Sequence, residues 1–268
     1  MIGADSVREK EELRLMADPM HQFQIQKVIS LPEVNVFGQT IDMSITNSVL
    51  AMLIAAGATL AFFAVTTARA AVIPGRGQVM AEGLFGLIDN MVESIIGHEG
   101  RKFLPYVLTL FLFILGCNLV GMFTYFTATS QLAVTITLAL MTISLVILYG
   151  LFRHGLGFFK LFLPSGVPWY LAPLIILIEI ISFFVRPVTL ALRLFGNMVG
   201  GHIVLKVFAG FIVSLGALGI GGMLGAVMPM AAIVALTTLE FLVAYLQAFV
   251  FAVLACVYLG DVVNIGHH

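Results

Sequence analysis

The chain has 268 residues, of which 60% are hydrophobic and only 10% are charged. A soluble domain carries about 25% charged residues, so this composition excludes a soluble globular protein and predicts an all-α polytopic membrane protein. The formal net charge of −1 offers no basic face that would neutralise phosphates, which argues against a nucleic-acid partner.

The N-terminal part of the chain differs from the rest in polarity. Residues 1–42 are polar and of mixed charge, and we assign them to an N-terminal segment. A single membrane domain is predicted over residues 43–268. The uncharged run at 43–68 is long enough to cross a hydrocarbon core of about 30 Å, which predicts a first span over about 43–70.

A second helix, over about 78–99, has a different character. Glu82, Asp89 and Glu93 are separated by seven and four residues, which places the three acids on one helical face. The remaining positions are largely apolar. This pattern predicts an amphipathic helix at the membrane interface or against other helices, outside the count of spans.

Four further spans follow in chain order. Residues 103–152 contain no charged side chain, and a polar patch at 124–131 divides this run in two. A glycine-rich segment at 216–225 divides the last long apolar region in the same way. With the first span this makes five membrane-crossing helices, the other four over about 103–125, 131–153, 169–214 and 223–263.

The distribution of basic residues predicts the orientation of the chain. The segments 69–76, 101–102 and 153–160 carry Lys or Arg, whereas the turns at 124–131 and 216–225 carry neither. The positive-inside rule therefore places the N-terminus outside and the C-terminus on the cytoplasmic side or its equivalent.

The fourth span contains a stripe of charged residues. Glu179, Arg186 and Arg193 are separated by seven and seven, so they share one face of a helix, together with Asn197. An arginine in the middle of a transmembrane helix costs roughly 2.5–3.5 kcal/mol on insertion scales. The stripe is therefore expected to face protein or water, and Arg193 is the strongest candidate for a functional residue.

Titratable groups also occur in the later part of the membrane domain. Glu240 has 33 uncharged residues before it and 20 after it, and Gln247 lies seven residues further on the same face. Intramembrane ionisable residues mark ion paths, proton relays or counter-ions. A carboxylate such as Glu240 and an imidazole such as His202 can exchange protons near neutral pH, whereas an arginine releases none. This combination favours a gated proton path.

Structural interpretations of the same residues stay open at this point. Arg186 also fits an interface anchor that extends towards the headgroups, and His202 also fits a structural histidine. Asn197 and Gln247 suit interhelical hydrogen bonding as well as chemistry. Asn118, within "LGCNLVGMF", is equally ambiguous.

Two stretches of the sequence carry a family resemblance. They are "RPVTLALRLFGNMVGGHIV" and "LEFLVAYLQAFVFAVLACVYLGD", within which "LRLFGN" and "LQAFVF…YL" are highly specific. The chain resembles subunit a of the rotary ATP synthase, the membrane stator that carries protons past the c-ring. The resemblance extends over nearly the whole chain except the first sixteen residues.

The resemblance implies a role for each matching position. Arg193 matches the essential arginine that faces the c-ring carboxylate, Asn197 a polar neighbour near that contact, and Gln247 the glutamine opposite the arginine. His202 and Glu240 match a pair that lines the outer half-channel. Glu179 matches an acid near the inner half-channel and Asn118 a polar residue near the outer one. Some members carry an acid where this chain has Gly121.

The resemblance also implies an architecture, partners and a location. The last two helices are expected to form a long, strongly tilted hairpin around the ring. The implied partners are the c-ring, the b subunits of the peripheral stalk and membrane lipid. The order of His202 and Glu240 is like that of mitochondrial members, which implies an alphaproteobacterial inner membrane or, alternatively, a mitochondrial inner membrane.

Other functions remain compatible with the residues alone. One is a secondary transporter with an arginine in its substrate site, and another is an assembly subunit whose charges only pair between helices. No cofactor, metal ion or catalytic residue is expected, and the function is that of a non-catalytic component of an enzyme complex. The sequence leaves proton and sodium coupling open, because the selecting carboxylate lies on the partner.

Overall fold

The fold is built almost entirely from helices. The computed structural model describes residues 26–29, 34–36, 39–41, 44–68, 71–124, 126–162 and 170–264. Its α-helices are α1 Asn47–Thr67, α2 Arg76–Ile96, α3 Leu104–Phe123, α4 Leu132–His154, α5 Ala172–Gly216 and α6 Ile220–Val263. Short 3-10 helices cover His98–Lys102, Ala128–Ser130 and Gly155–Phe162.

In the described part of the N-terminal region, four short strands precede α1. They are β1 Lys27–Ile29, β2 Val34–Val36, β3 Gln39–Ile41 and β4 Ile45–Thr46, with β1 antiparallel to β4 and β2 antiparallel to β3. These strands were not predicted from the sequence. Gln26 is also described, and the remaining residues of the predicted N-terminal segment, 1–25 among them, lie outside the described part of the chain.

Among the described residues, five of the six α-helices are long and apolar enough to cross a membrane, which confirms the predicted number of spans. They are α1, α3, α4, α5 and α6, and each corresponds to a run in which charges are rare. A helix satisfies all its backbone hydrogen bonds internally, which is the condition for crossing a bilayer. The chain is therefore an all-α polytopic membrane protein.

The helix α2 is amphipathic, as the spacing of its acids predicts. Ile88 and Val92 are fully buried, whereas Glu82 and Glu93 are exposed. The buried face packs against α6 and, over smaller areas, against α1 and α3. This helix is not among the candidate spans, in agreement with the prediction of an interfacial helix.

The helices α5 and α6 form a hairpin of unusual length. They contain 45 and 44 residues, and a helix of 45 residues is about 67 Å long. The hydrocarbon core is only about 30 Å thick, so helices of this length agree with the strong tilt that was expected. Gly219 joins them with φ of 82°, a conformation that side chains with a Cβ rarely adopt.

The core of the molecule lies around the C-terminal half of α6. A stripe of small residues, spaced by three or four, is almost completely buried there: Ala244, Ala248, Ala252 and Ala255. In lipid, no hydrophobic driving force brings helices together, so their association depends on close packing. Small side chains allow that close approach. Phe111, Val146 and Leu194, from three other helices, fill the same core. The first half of α6 and the second half of α5 remain largely exposed.

This packing predicts where a cavity destabilises the chain. Phe251 is fully buried in the core. We expect Phe251→Ala to lower the free energy of unfolding by roughly 3 kcal/mol, at the low end of the range for soluble cores because lipid also solvates apolar side chains. Denaturation of the purified chain in mixed micelles measures this loss. Phe152→Ala is the control, since Phe152 is 88% exposed, and an equal loss in both variants would contradict the prediction.

Candidate functional site

Arg193 lies at the middle of α5, on a face that no other part of the described chain covers. Its side chain is exposed, as are those of Asn197 four residues later and Leu192 beside it. Within the described residues, no carboxylate forms an ion pair with Arg193. The guanidinium thus stands on an exposed surface beside Asn197 and Leu192, where no described carboxylate neutralises it.

The other two members of the predicted stripe pair with each other. An Nη2 atom of Arg186 lies 3.9 Å from Glu179 Oε1, and both side chains are about half exposed. The helical spacing correctly placed the two residues on one face. Their mutual contact explains how the chain tolerates both charges, and it leaves Arg193 as the member of the stripe without compensation.

Asn197 connects the stripe to the facing helix. Its Nδ2 donates a hydrogen bond of 3.4 Å to Gln247 Oε1 on α6. Gln247 is buried, and its own Nε2 has no hydrogen-bond partner among the described residues. A buried donor without a partner costs roughly 1–3 kcal/mol, so the amide marks a position where water or a ligand would be bound.

A second cluster forms where α5 and α6 approach the turn after α3. Glu240 is buried, with its Oε1 3.9 Å from His202 Nδ1. The opposite ring nitrogen, His202 Nε2, lies 2.8 Å from the hydroxyl of Thr127. Glu240 Oε1 itself makes no hydrogen bond in the described structure.

Asn118 connects elements that carry this cluster. It is fully buried, and its Nδ2 donates a 3.1 Å hydrogen bond to the carbonyl oxygen of Ala244. The hydroxyl of Thr129 donates to Asn118 Oδ1 over 2.8 Å. Asn118 therefore joins α3, α6 and the 126–131 segment, and its amide is satisfied on both sides.

Thr127 and Thr129 were not predicted as site residues. Their patch, "TYFTATSQ", was predicted to be a turn, and the short 3-10 helix at Ala128–Ser130 agrees with that prediction. The two hydroxyls, however, point at His202 and Asn118. Alternate hydroxyl residues within a 50-residue apolar run were the signal available, but the position of their partners depended on the tertiary packing.

A groove between α5 and α6 connects the two groups of residues. It has a volume of about 210 Å³, and among its lining residues are Glu240, Gly201 and Asn197. Bulk water occupies about 30 Å³ per molecule, so several water molecules fit. The groove therefore links the buried carboxylate of Glu240 to the exposed face that carries Asn197 and Arg193.

The site residues are spread along the axis of α5. His202 lies nine residues beyond Arg193 and Glu179 fourteen residues before it, which correspond to about 13 Å and about 21 Å along a helix. Arg193 consequently separates two polar clusters that lie towards opposite ends of the helix. The arrangement can hold a fixed positive charge between two titratable regions.

Comparisons with known proteins agree on one family. Residues 49–260 match the ATP synthase A chain family. ATP synthase subunit a of Chelativorans sp. (strain BNC1) is 50% identical over 254 residues, which cover 94% of this chain and 100% of that protein. The proteins of the same name from Rhizobium etli and Rhodopseudomonas palustris are 52% and 51% identical, each over 94% of this chain.

The hydrogen bonds of Asn118 lead to a stability prediction. Asn118→Ala leaves the carbonyl of Ala244 and the hydroxyl of Thr129 without these partners, so we expect a loss of roughly 1–3 kcal/mol in the free energy of unfolding. Denaturation in mixed micelles measures it. The matched control is Asn90→Ala, at an exposed position of α2, where no comparable loss is expected. Equal stability of the two variants would contradict the structural role of Asn118.

Proposed function

The chain belongs to the ATP synthase A chain family, and from this premise we propose that it is the proton-channel stator that passes protons to and from a rotating c-ring through two offset half-channels. At the coarser level, the family and the five apolar helices make it a proton-translocating subunit of the membrane sector, with a role in ATP synthesis.

The exposed guanidinium of Arg193 carries the proposal. A permanent charge at the middle of an apolar helix is unfavourable unless a counter-charge or water meets it. None of the described residues supplies that charge. We propose that a carboxylate of the c-ring does so, on the exposed face that Arg193 shares with Asn197.

The cluster at the turn after α3 is the proposed outer half-channel. His202 and Glu240 supply two titratable groups 3.9 Å apart, and Asn118 is hydrogen-bonded to the helix that carries Glu240. The groove that Glu240 lines extends to Asn197, which provides a route for water from the relay to the ring-facing surface. A proton that enters here neutralises a ring carboxylate, which can then face lipid.

The opposite end of α5 is the proposed inner half-channel. Glu179 lies there beside Arg186, with both side chains about half exposed. A ring carboxylate that has turned through nearly a full rotation releases its proton towards this region and then meets Arg193. Gln247 and Asn197 lie between the two proposed channels. Their hydrogen bond fixes polar amide groups close to Arg193.

The fixed charge of Arg193 makes the transfer directional. An arginine does not release its proton, so it cannot relay protons between the channels. It favours the ionised form of a carboxylate beside it and repels a free cation. Each elementary charge that crosses 100 mV supplies about 2.3 kcal/mol, and rotation accumulates these steps for ATP synthesis elsewhere in the complex.

The proposal includes partners and a location. Relatives from bacteria and five candidate spans make this a multi-pass membrane protein, which we place in a bacterial inner membrane. Besides the c-ring, the proposed partners are the b subunits of the peripheral stalk and membrane lipid. The exposed apolar side chains on α1 and α4, such as Leu60 and Leu148, suit contact with lipid or apolar helices.

Substitution of the arginine tests the proposal. We expect Arg193→Ala to reduce ATP-driven proton pumping by the intact complex in vesicles to background, because the ring carboxylate loses its counter-charge. Arg186→Ala is the matched control on the same helix. It should retain pumping within about fivefold of wild type, because a half-exposed pair 3.9 Å apart is weak. Wild-type pumping by Arg193→Ala would refute the proposal.

The contact between Gly201 and Glu240 gives a second test. A Cβ atom at Gly201 would lie 2.5 Å from Glu240 Oε1, so Gly201→Ala must displace the carboxylate. We expect proton pumping to fall by about tenfold, since small misplacements of a reacting group have large effects on rate. Gly210→Ala, where the new Cβ has no atom within 4 Å, controls for the change in helix propensity. Equal rates in the two variants would exclude Glu240 from the relay.

A further inference from the structure

Thr127 occupies a defined position beside the relay. The residue is 2% exposed, and its Oγ1 lies 2.8 Å from His202 Nε2. The other nitrogen of the same ring, Nδ1, lies 3.9 Å from Glu240 Oε1. The hydroxyl and the carboxylate therefore lie on opposite sides of one imidazole.

The position of Thr127 is fixed by its surroundings. The Oγ of Ser130 donates a 2.6 Å hydrogen bond to the carbonyl oxygen of Thr127, and Thr129 is held by Asn118. Gly121 on α3 provides the space, because a Cβ there would lie 2.6 Å from Thr127 Cβ and closer still to its branches. A glycine at position 121 therefore leaves the space that the side chain of Thr127 occupies.

We propose that Thr127 is a positioning residue that holds the imidazole of His202 towards Glu240 in both protonation states of the ring, an inference that rests on the proposed function. A hydroxyl both donates and accepts hydrogen bonds. It can donate to Nε2 of the neutral ring, which leaves the proton on Nδ1, and it can accept from Nε2 of the charged ring. The ring therefore keeps its orientation when a proton arrives or leaves.

The distance between His202 and Glu240 makes the orientation of the ring important for proton transfer. A direct hydrogen bond between Nδ1 and a carboxylate oxygen spans about 2.9 Å, so the observed 3.9 Å must shorten by about 1 Å. A ring held at Nε2 can make that movement by a small rotation. Without the anchor, the ring can also turn Nδ1 away from the carboxylate.

Charged groups of the described part of the chain act on the ring from α5 and α6. Glu240 faces it from α6, and Lys206 acts on it from one turn along α5. Neither α3 nor the 126–131 segment carries a charged side chain, and α4 has none before Arg153. A substitution at Thr127 therefore alters the hydrogen bond to the ring and leaves the charges of Glu240 and Lys206 unchanged.

The test compares two substitutions at this position in the intact complex. Thr127→Val keeps the shape and removes the hydroxyl, whereas Thr127→Ser keeps the hydroxyl. Proton uptake from the His202 side of vesicles, driven by an imposed proton gradient and coupled to ATP synthesis, is measured across the neutral pH range. We expect Thr127→Val to slow uptake by about threefold to tenfold. Its half-maximal rate should require a lower pH, because the lost bond is stronger to the charged ring.

Thr127→Ser is expected to restore both the rate and the pH profile. A uniform loss in both variants with an unchanged pH profile would show that Thr127 only fills space, and it would overturn the proposal. Gly121→Ala, which must displace Thr127, should reproduce the altered profile of Thr127→Val. Amounts of assembled complex are compared first, so that a folding defect is recognised.

A double-mutant comparison isolates the ring as the target. In a His202→Gln background, Thr127→Val should cause no further loss of uptake, since the group that it positions is gone. A further loss of the same size would overturn the proposal. The proposed function fails separately, if uptake does not depend on Arg193. The role of Thr127 fails alone if uptake depends on Arg193 but keeps its pH profile in Thr127→Val.

Discussion

The unpaired charge of Arg193 is the constraint on which the rest of the structure depends. Glu179 and Arg186 on the same helix compensate each other, and Glu240 lies beside His202. Arg193 alone in this stripe is left to a surface that the described chain does not cover. None of the described residues supplies its counter-charge, so on the proposed function that charge comes from a carboxylate of the c-ring.

The packing of the long hairpin produces the surface that this charge needs. The alanine stripe from Ala244 to Ala255 lets other helices approach the C-terminal half of α6 closely, and the core forms there. The rest of the hairpin keeps an apolar exterior, which suits lipid or a second apolar body. Glu179, Arg186, Arg193 and Asn197 form one polar strip on that exterior, and Asn197 and Glu240 line the groove beside it. The face of the hairpin that the core packing leaves exposed is therefore also the face that carries Arg193.

Much of the fold followed from local properties of the sequence. Uncharged runs predicted five spans, the acids of α2 predicted an amphipathic helix, and the seven-residue spacing placed Glu179 and Arg186 together. The short strands were missed because segments of two or three residues carry no readable periodicity. Thr127 was missed for another reason: it lies 75 residues from His202, and only tertiary packing brings their side chains together.

For the proposed function, the order of residues along α5 requires a partner that moves. On the proposed function, protons enter about 13 Å to one side of Arg193 and leave about 21 Å to the other. The arginine between them releases no proton and repels cations, so a continuous path inside this chain would be blocked where it passes the guanidinium. A proton can still cross if a carrier takes it at one cluster, travels around the obstacle and releases it at the other. A ring of carboxylates in a membrane meets this requirement by rotating, because each carboxylate is neutral while it faces lipid and ionised only beside Arg193.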